Sequence, residues 1–80
     1  MKLYISNMAG EVTEDDLRQA FGEFGKATFV SITKDSFGDS TGFGFVEMPS
    51  KAEAQSAISS LNGRELKNRA LNVQRTPSSL

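Results

Sequence analysis

The sequence predicts an α+β fold in which a four-stranded antiparallel sheet carries two helices on one face. Two observations lead to this expectation. Four segments alternate apolar and polar residues, as half-buried strands do, and two others repeat apolar residues at helical spacing. Their order along the 80 residues is strand, helix, strand, strand, helix, strand. A chain of this length is expected to form one small domain with a single core.

The first strand is expected at residues 2–6, where Leu3 and Ile5 point to one side and Tyr4 points to the other. The first helix is expected at residues 14–24. A capping box precedes it, acidic residues fill its first turn, and apolar residues recur every three to four positions until a glycine stops the run.

The second strand is expected within residues 27–33, with branched aliphatic residues on the buried side and Phe29 on the other. A loop rich in turn-forming residues follows at 35–41. The third strand then spans residues 41–48.

The third strand places its large rings on an unusual side. Phe43 and Phe45 are two positions apart, so both rings share a face with Glu47. Gly42 and Gly44 take the opposite face, where they are expected to let a helix approach the strand closely. A globular strand normally buries its rings, so this side of the sheet is expected to have a function.

The second helix follows Ser50, which is expected to form a second capping box with Glu53. An Asn-Gly pair at 62–63 ends it. The last strand turns its apolar residues inward and leaves Asn72 and Gln74 outward.

This order is that of the ferredoxin-like βαββαβ sandwich. Residues 1–76 are predicted to form the domain and residues 77–80 a disordered tail. Because the helices cover one face, the other is open to solvent, where each exposed ring forgoes roughly 1.5–3 kcal/mol of burial. Flat rings on an open sheet are surfaces on which unpaired bases stack. The rings expected there are Tyr4, Phe29, Phe43 and Phe45.

Two segments resemble the motifs of the RNA recognition motif family. T-G-F-G-F-V-E-M at 41–48 is similar to the longer motif, K/R-G-F/Y-G/A-F-V-x-F/Y, and departs from it at Thr41 and Met48. L-Y-I-S-N-M at 3–8 resembles the shorter motif, about forty residues earlier. The resemblance covers nearly all of residues 2–75 and extends to bacterial members with a single motif.

The resemblance implies a single-stranded RNA-binding module that is not an enzyme and needs no cofactor. Tyr4 and Phe43 are expected to stack on successive bases, and Phe45 to pack against sugars or a further base. Phe29 either extends this platform or shields the sheet edge. The other residues expected to contact RNA are Lys2, Asn72, Gln74 and Arg75.

The composition of the chain argues against several classes of function. The chain has no cysteine and no histidine, which argues against metal sites and hydrolytic chemistry. The N-terminal segment lacks an apolar run typical of a signal peptide or a membrane span. We therefore expect a cytoplasmic monomer, or a nuclear one in a eukaryote, without a small-molecule substrate. Single-stranded DNA remains open as a partner.

The charge of the chain predicts weak binding. The formal net charge is −1, and Thr41 stands where the family usually has a basic residue that would pair with a phosphate. Micromolar affinity, about −8 kcal/mol, is therefore expected. The same features leave open an alternative, in which the open face receives a peptide of another protein.

Overall fold

The computed structural model describes residues 1–76 and has the predicted ferredoxin-like order. The tail predicted at 77–80 lies outside the described residues. The elements are β1 (Lys2–Ser6), α1 (Glu14–Gly22), β2 (Phe29–Lys34), β3 (Ser40–Glu47), α2 (Lys51–Leu61), β4 (Glu65–Leu66), β5 (Arg69–Ala70) and β6 (Asn72–Arg75).

One four-stranded sheet organises the molecule, with the strand order β2-β3-β1-β6 and antiparallel pairing throughout. The two strands that carry the family-like motifs, β1 and β3, are the central ones. The short strands β4 and β5 form a separate hairpin before β6. Lys67 and Asn68 form its two-residue turn, and both have positive φ, as type I′ turns require.

The core lies between the helices and the face of the sheet that carries Leu3, Ile5 and Val46, all of which are fully buried. Phe21 is buried in the same cluster. Phe24, at the end of the helix expected over residues 14–24, is only partly buried because α1 ends at Gly22.

The first predicted capping box is confirmed, and the second is only half formed. Thr13 and Asp16 exchange reciprocal hydrogen bonds at the start of α1. Ser50 accepts from the backbone N–H of Glu53, but the Glu53 carboxylate accepts from the backbone N–H of Lys26 at 3.1 Å. Glu53 therefore joins α2 to the loop after α1 rather than closing its own cap.

Asp16 makes the stability of the fold depend on pH. Its pKa lies below the ordinary value of 3.8, first because the Thr13 backbone N–H donates to it, and then because Lys67 is 3.1 Å away. A carboxyl group whose pKa falls on folding stabilises the protein above its unfolded pKa. That contribution is lost as the pH falls through the folded pKa.

We expect Asp16→Asn to lower the melting temperature at neutral pH, because the cap and the ion pair lose their charge. The difference from the wild type should shrink as the pH falls below 3.8. Thermal melts followed by circular dichroism over this range measure it, with Asp15→Asn as the control on the same turn. A difference that stays constant at all pH values would contradict the assignment.

Candidate nucleic-acid interface

The open face of the sheet is ordered in rows by strand register. Tyr4 on β1 lies opposite Phe45 on β3, and Phe45 lies opposite Ser31 on β2. On the other side, Tyr4 lies opposite Gln74 on β6. Directly paired residues share a face of the sheet. The central row therefore has two aromatic rings flanked by a hydroxyl and an amide.

Three rings form a continuous cluster on this face, which we call the ring platform (Tyr4, Phe43 and Phe45). The Tyr4 and Phe43 centroids are 5.9 Å apart with the planes inclined by 18°. Those of Tyr4 and Phe45 are 5.4 Å apart and inclined by 48°. Phe43 is 42% exposed, and the other two are partly exposed. Tyr4 is thus the centre of an accessible aromatic surface.

Lys2 adds a positive charge to the ring platform. Its Nζ lies 4.5 Å from the centroid of the Phe45 ring. Such a cation–π contact at an exposed site is worth about 0.5–1 kcal/mol. The ammonium group is thereby held beside the rings.

Phe29 lies one row beyond the ring platform. It pairs with Glu47 on β3, and Glu47 pairs with Lys2 on β1. The Phe29 side chain is 53% exposed on the edge strand. The ring contacts within residues 1–76 join Tyr4 to its two neighbours and do not include Phe29.

The residues predicted on β6 and beside it divide between the two faces. Asn72 pairs with Ser6 and Gln74 with Tyr4, so both amides lie on the open face and are exposed. Arg75 pairs with the buried Leu3, so its side chain leaves the sheet on the helix side. The register therefore separates Arg75 from the other predicted site residues.

Gly42 and Gly44 of β3 lie where the backbone has no room for a larger residue, but the close neighbour is not the helix that the sequence suggested. Gly42 has a φ of 84°, and the β2–β3 register shifts around it. A Cβ atom there would lie 3.2 Å from the backbone oxygen of Met8. At Gly44 a Cβ would lie 2.6 Å from the backbone oxygen of Ser31. The close neighbours are thus the backbones of adjoining segments rather than a helix.

A side-chain cluster at the end of β1 was missed by sequence reasoning. Asn7, with a φ of 62°, accepts at Oδ1 from Nε and Nη2 of Arg69, at 3.1 and 2.9 Å. Its Nδ2 donates to the backbone oxygen of Ala70 at 2.8 Å. The partners are 62 residues apart, so no local pattern indicates them. Ser31 was also missed, although it alternates with Phe29 along β2.

The loop between β2 and β3 carries one more ring outside the ring platform. The Asp35 carboxylate accepts from the backbone N–H groups of Phe37 and Asp39, at 2.9 and 3.0 Å. These bonds order the loop tip. Phe37 is 87% exposed there, and the acidic residues on either side disfavour a phosphate.

A cavity of about 200 Å³ opens on the helix side of the molecule. Its walls come from α1, the end of α2 and the β4 region, and include Asp16, Ala20, Leu61, Arg64 and Leu66. None of the ring-platform residues borders it. The cavity is therefore separate from the candidate interface.

Within residues 1–76, no three acidic, histidine or cysteine side chains converge to hold a metal ion. In the same range, no helix has the length and hydropathy needed to cross a membrane.

Comparison with known proteins settles the family. The RNA recognition motif model matches residues 3–72. The chain belongs to the RNA recognition motif family. The match includes both strands that carry the ring platform, so the resemblance of the two sequence motifs is confirmed.

Individual relatives agree with this assignment. The chain is 42% identical over 73 residues to Polyadenylate-binding protein 2 of Arabidopsis thaliana, covering 91% of this chain but 12% of that protein. It is 42% identical over 76 residues to RbpE of Nostoc sp. (strain PCC 7120), covering 94% of this chain and 77% of the relative. The solved SXL-lethal protein/RNA complex superimposes with a TM-score of 0.86 at 33% identity, covering 91% of this chain and 46% of that one.

We expect Gly44→Ala to destabilise the domain by about 1–3 kcal/mol, the usual cost of overpacking. The added methyl group would push the central strand β3 away from the Ser31 backbone of β2. Urea unfolding measures the change. Gly10→Ala is the matched control, since a Cβ there meets no atom within 4 Å. Equal stability of the two variants would show that the tight strand contact is not a constraint.

Proposed function

We propose that this RNA recognition motif domain binds single-stranded RNA by stacking unpaired bases on the ring platform. The observation that carries the proposal is the cluster of Tyr4, Phe43 and Phe45, with centroids 5.4 and 5.9 Å apart on a face that no helix within residues 1–76 covers. The solved complex that the chain resembles contains RNA, which supports a nucleic-acid partner.

The inclination of the rings supports different roles for them. Tyr4 and Phe43 are nearly parallel, at 18°, so they suit two successive bases that lie flat on the sheet. Phe45 is tilted by 48° from Tyr4 and has the Lys2 ammonium over its ring. It is better suited to a sugar or a base edge, with Lys2 on the adjoining phosphate.

The polar residues around the ring platform would read the edges of the stacked bases. Gln74 lies directly beside Tyr4, and Ser31 directly beside Phe45. Asn72 lies one row further along β6. Amide and hydroxyl groups both donate and accept, so they fit the mixed edges of all four bases. Arg75, on the other face, is left outside this contact set.

Affinity is limited by the number of stacks and by the charge of the loop. Each stacked base contributes roughly 1–3 kcal/mol, and two or three stacks must also offset the cost of association. The loop beside the ring platform has Asp35 and Asp39, and it leads into the neutral Thr41. We therefore propose micromolar affinity, about −8 kcal/mol.

The proposed unit is residues 1–76, acting as a monomer that binds without catalysis. Single-stranded DNA would engage the same rings, because stacking does not use the 2′-hydroxyl group. A peptide on the same face is the competing outcome in the tests below.

We expect the double variant Phe43→Ala/Phe45→Ala to lose RNA binding while it keeps the fold, because both rings point away from the core. The loss should be at least about fivefold for each stack removed. Fluorescence anisotropy with a mixed pool of labelled RNA octamers measures it, and circular dichroism checks the fold. Phe37→Ala is the matched control, since that ring is exposed but outside the ring platform.

Unchanged affinity in the double variant would show that the ring platform is not the binding site. The peptide-docking alternative would be favoured if the wild type bound a peptide but no RNA, and if the double variant lost that peptide.

We expect Thr41→Arg to restore one phosphate contact at the start of the longer motif. The slope of log affinity against log salt should become steeper by about 0.7, the value for one phosphate on a single strand. Anisotropy titrations at several salt concentrations measure the slope. Gln55→Arg adds the same charge on α2 and should leave the slope nearly unchanged. Equal steepening by both variants would mean that Thr41 lies away from the RNA path.

A further inference from the structure

An acidic side chain lies on the open face, where a polyanion is proposed to bind. Glu47 pairs with Lys2 on one side and with Phe29 on the other, one row beyond the ring platform. Its side chain is 40% exposed. A carboxylate repels phosphates and accepts hydrogen bonds, so a ligand group that meets it on this face would be an N–H donor rather than the RNA backbone.

The Glu47 carboxylate is held in place by a positive charge. The Met1 ammonium group donates to Oε2 at 3.1 Å and also to the backbone oxygen of Met48 at 2.7 Å. Within residues 1–76, Met1 is the group that hydrogen-bonds this side chain. An ionised carboxylate accepts about four hydrogen bonds in total, so it retains capacity for a ligand. The ion pair thus orients the Glu47 carboxylate and offsets part of the repulsion between that carboxylate and a phosphate.

Phe29 supplies a ring beside this carboxylate. Directly opposed residues of an antiparallel pair have Cβ atoms about 4.5–5.5 Å apart, so a base on the Phe29 ring would bring its edge to Glu47. The Thr28 backbone N–H donates to the Glu47 backbone oxygen at 2.9 Å, which keeps the two strands paired at this end. The ring is 53% exposed and therefore accessible to a ligand.

A carboxylate can discriminate between bases because it cannot donate a hydrogen bond. It accepts hydrogen bonds and donates none, so it fits a base edge with two adjacent N–H groups. Guanine presents N1–H and N2–H side by side. On the Watson–Crick edges of adenine, cytosine and uracil, every N–H group lies beside an acceptor atom, which the second carboxylate oxygen would repel.

We propose that Phe29 and Glu47 form a guanine-selective subsite at the end of the ring platform. This inference rests on the proposed RNA binding and adds a base preference to it. The ring supplies stacking, and the carboxylate accepts both guanine N–H groups in a bidentate contact. Lys2, on the far side of Glu47, remains available to the phosphate backbone.

The test compares labelled uridine octamers in which one position at a time carries guanosine, inosine or adenosine. At the best position, wild-type protein should bind the guanosine octamer about tenfold more tightly than the adenosine octamer, a typical value for a bidentate contact. Inosine lacks the N2 amino group and should lose most of that preference. Anisotropy titrations give the affinities.

Glu47→Gln should reduce the guanosine-to-adenosine ratio to within about twofold, because the amide nitrogen cannot accept the second guanine N–H. The ratio is the readout, since removing a negative charge raises affinity for every RNA alike. Glu23→Gln removes the same charge at the end of α1 and should keep the wild-type ratio.

Four outcomes would overturn the subsite. Equal affinity of the wild type for guanosine and adenosine octamers, or a wild-type ratio in Glu47→Gln, refutes the guanine subsite while RNA binding stands. Absence of binding to every octamer refutes RNA binding and the subsite together. If Glu47→Gln fails to fold, the inosine comparison on the wild type decides, and equal binding of inosine and guanosine refutes the bidentate contact.

Discussion

The antiparallel register of β1 on β3 is the constraint on which both the core and the open face depend. It places Tyr4 opposite Phe45 on one side of the sheet and Leu3 opposite Val46 on the other. Because strand side chains alternate with a period of two, a slip of one residue would exchange these faces. The rings would then meet the helices, and the aliphatic residues would face water. The buried face thus fixes the register, and the register fixes the ring platform.

The backbone around the exposed rings of β3 is sterically constrained. Gly44 lies between Phe43 and Phe45, where the chain passes too close to Ser31 for a Cβ atom. Gly42 takes a positive φ at the shift in register between β2 and β3. The glycines of the longer motif are therefore needed because the sheet has no room for a Cβ atom at Gly44 and takes a positive φ at Gly42. The alternating phenylalanines remain on the open face.

The charge of the whole chain describes the open face poorly. Acidic groups elsewhere are used within the fold: Asp16 caps α1 and pairs with Lys67, and Glu53 holds the Lys26 backbone. On the open face, Lys2 lies over a ring and Glu47 is paired with the Met1 ammonium group. Local pairing therefore decides which charges a ligand would meet on the open face. The net charge of −1 does not show this distribution.

The sequence by itself determined the order of elements, the inward faces of the strands, and the family, because these follow from short-range periodicity, caps and two local motifs. Only the tertiary structure decided the contacts between distant segments. Examples are the bond from Glu53 to the Lys26 backbone, the Asn7–Arg69 cluster, and the placement of Arg75 on the helix side through its pairing with Leu3. Such contacts depend on strand order, register and loop path, which are set by packing of the whole chain and leave no local pattern in the sequence.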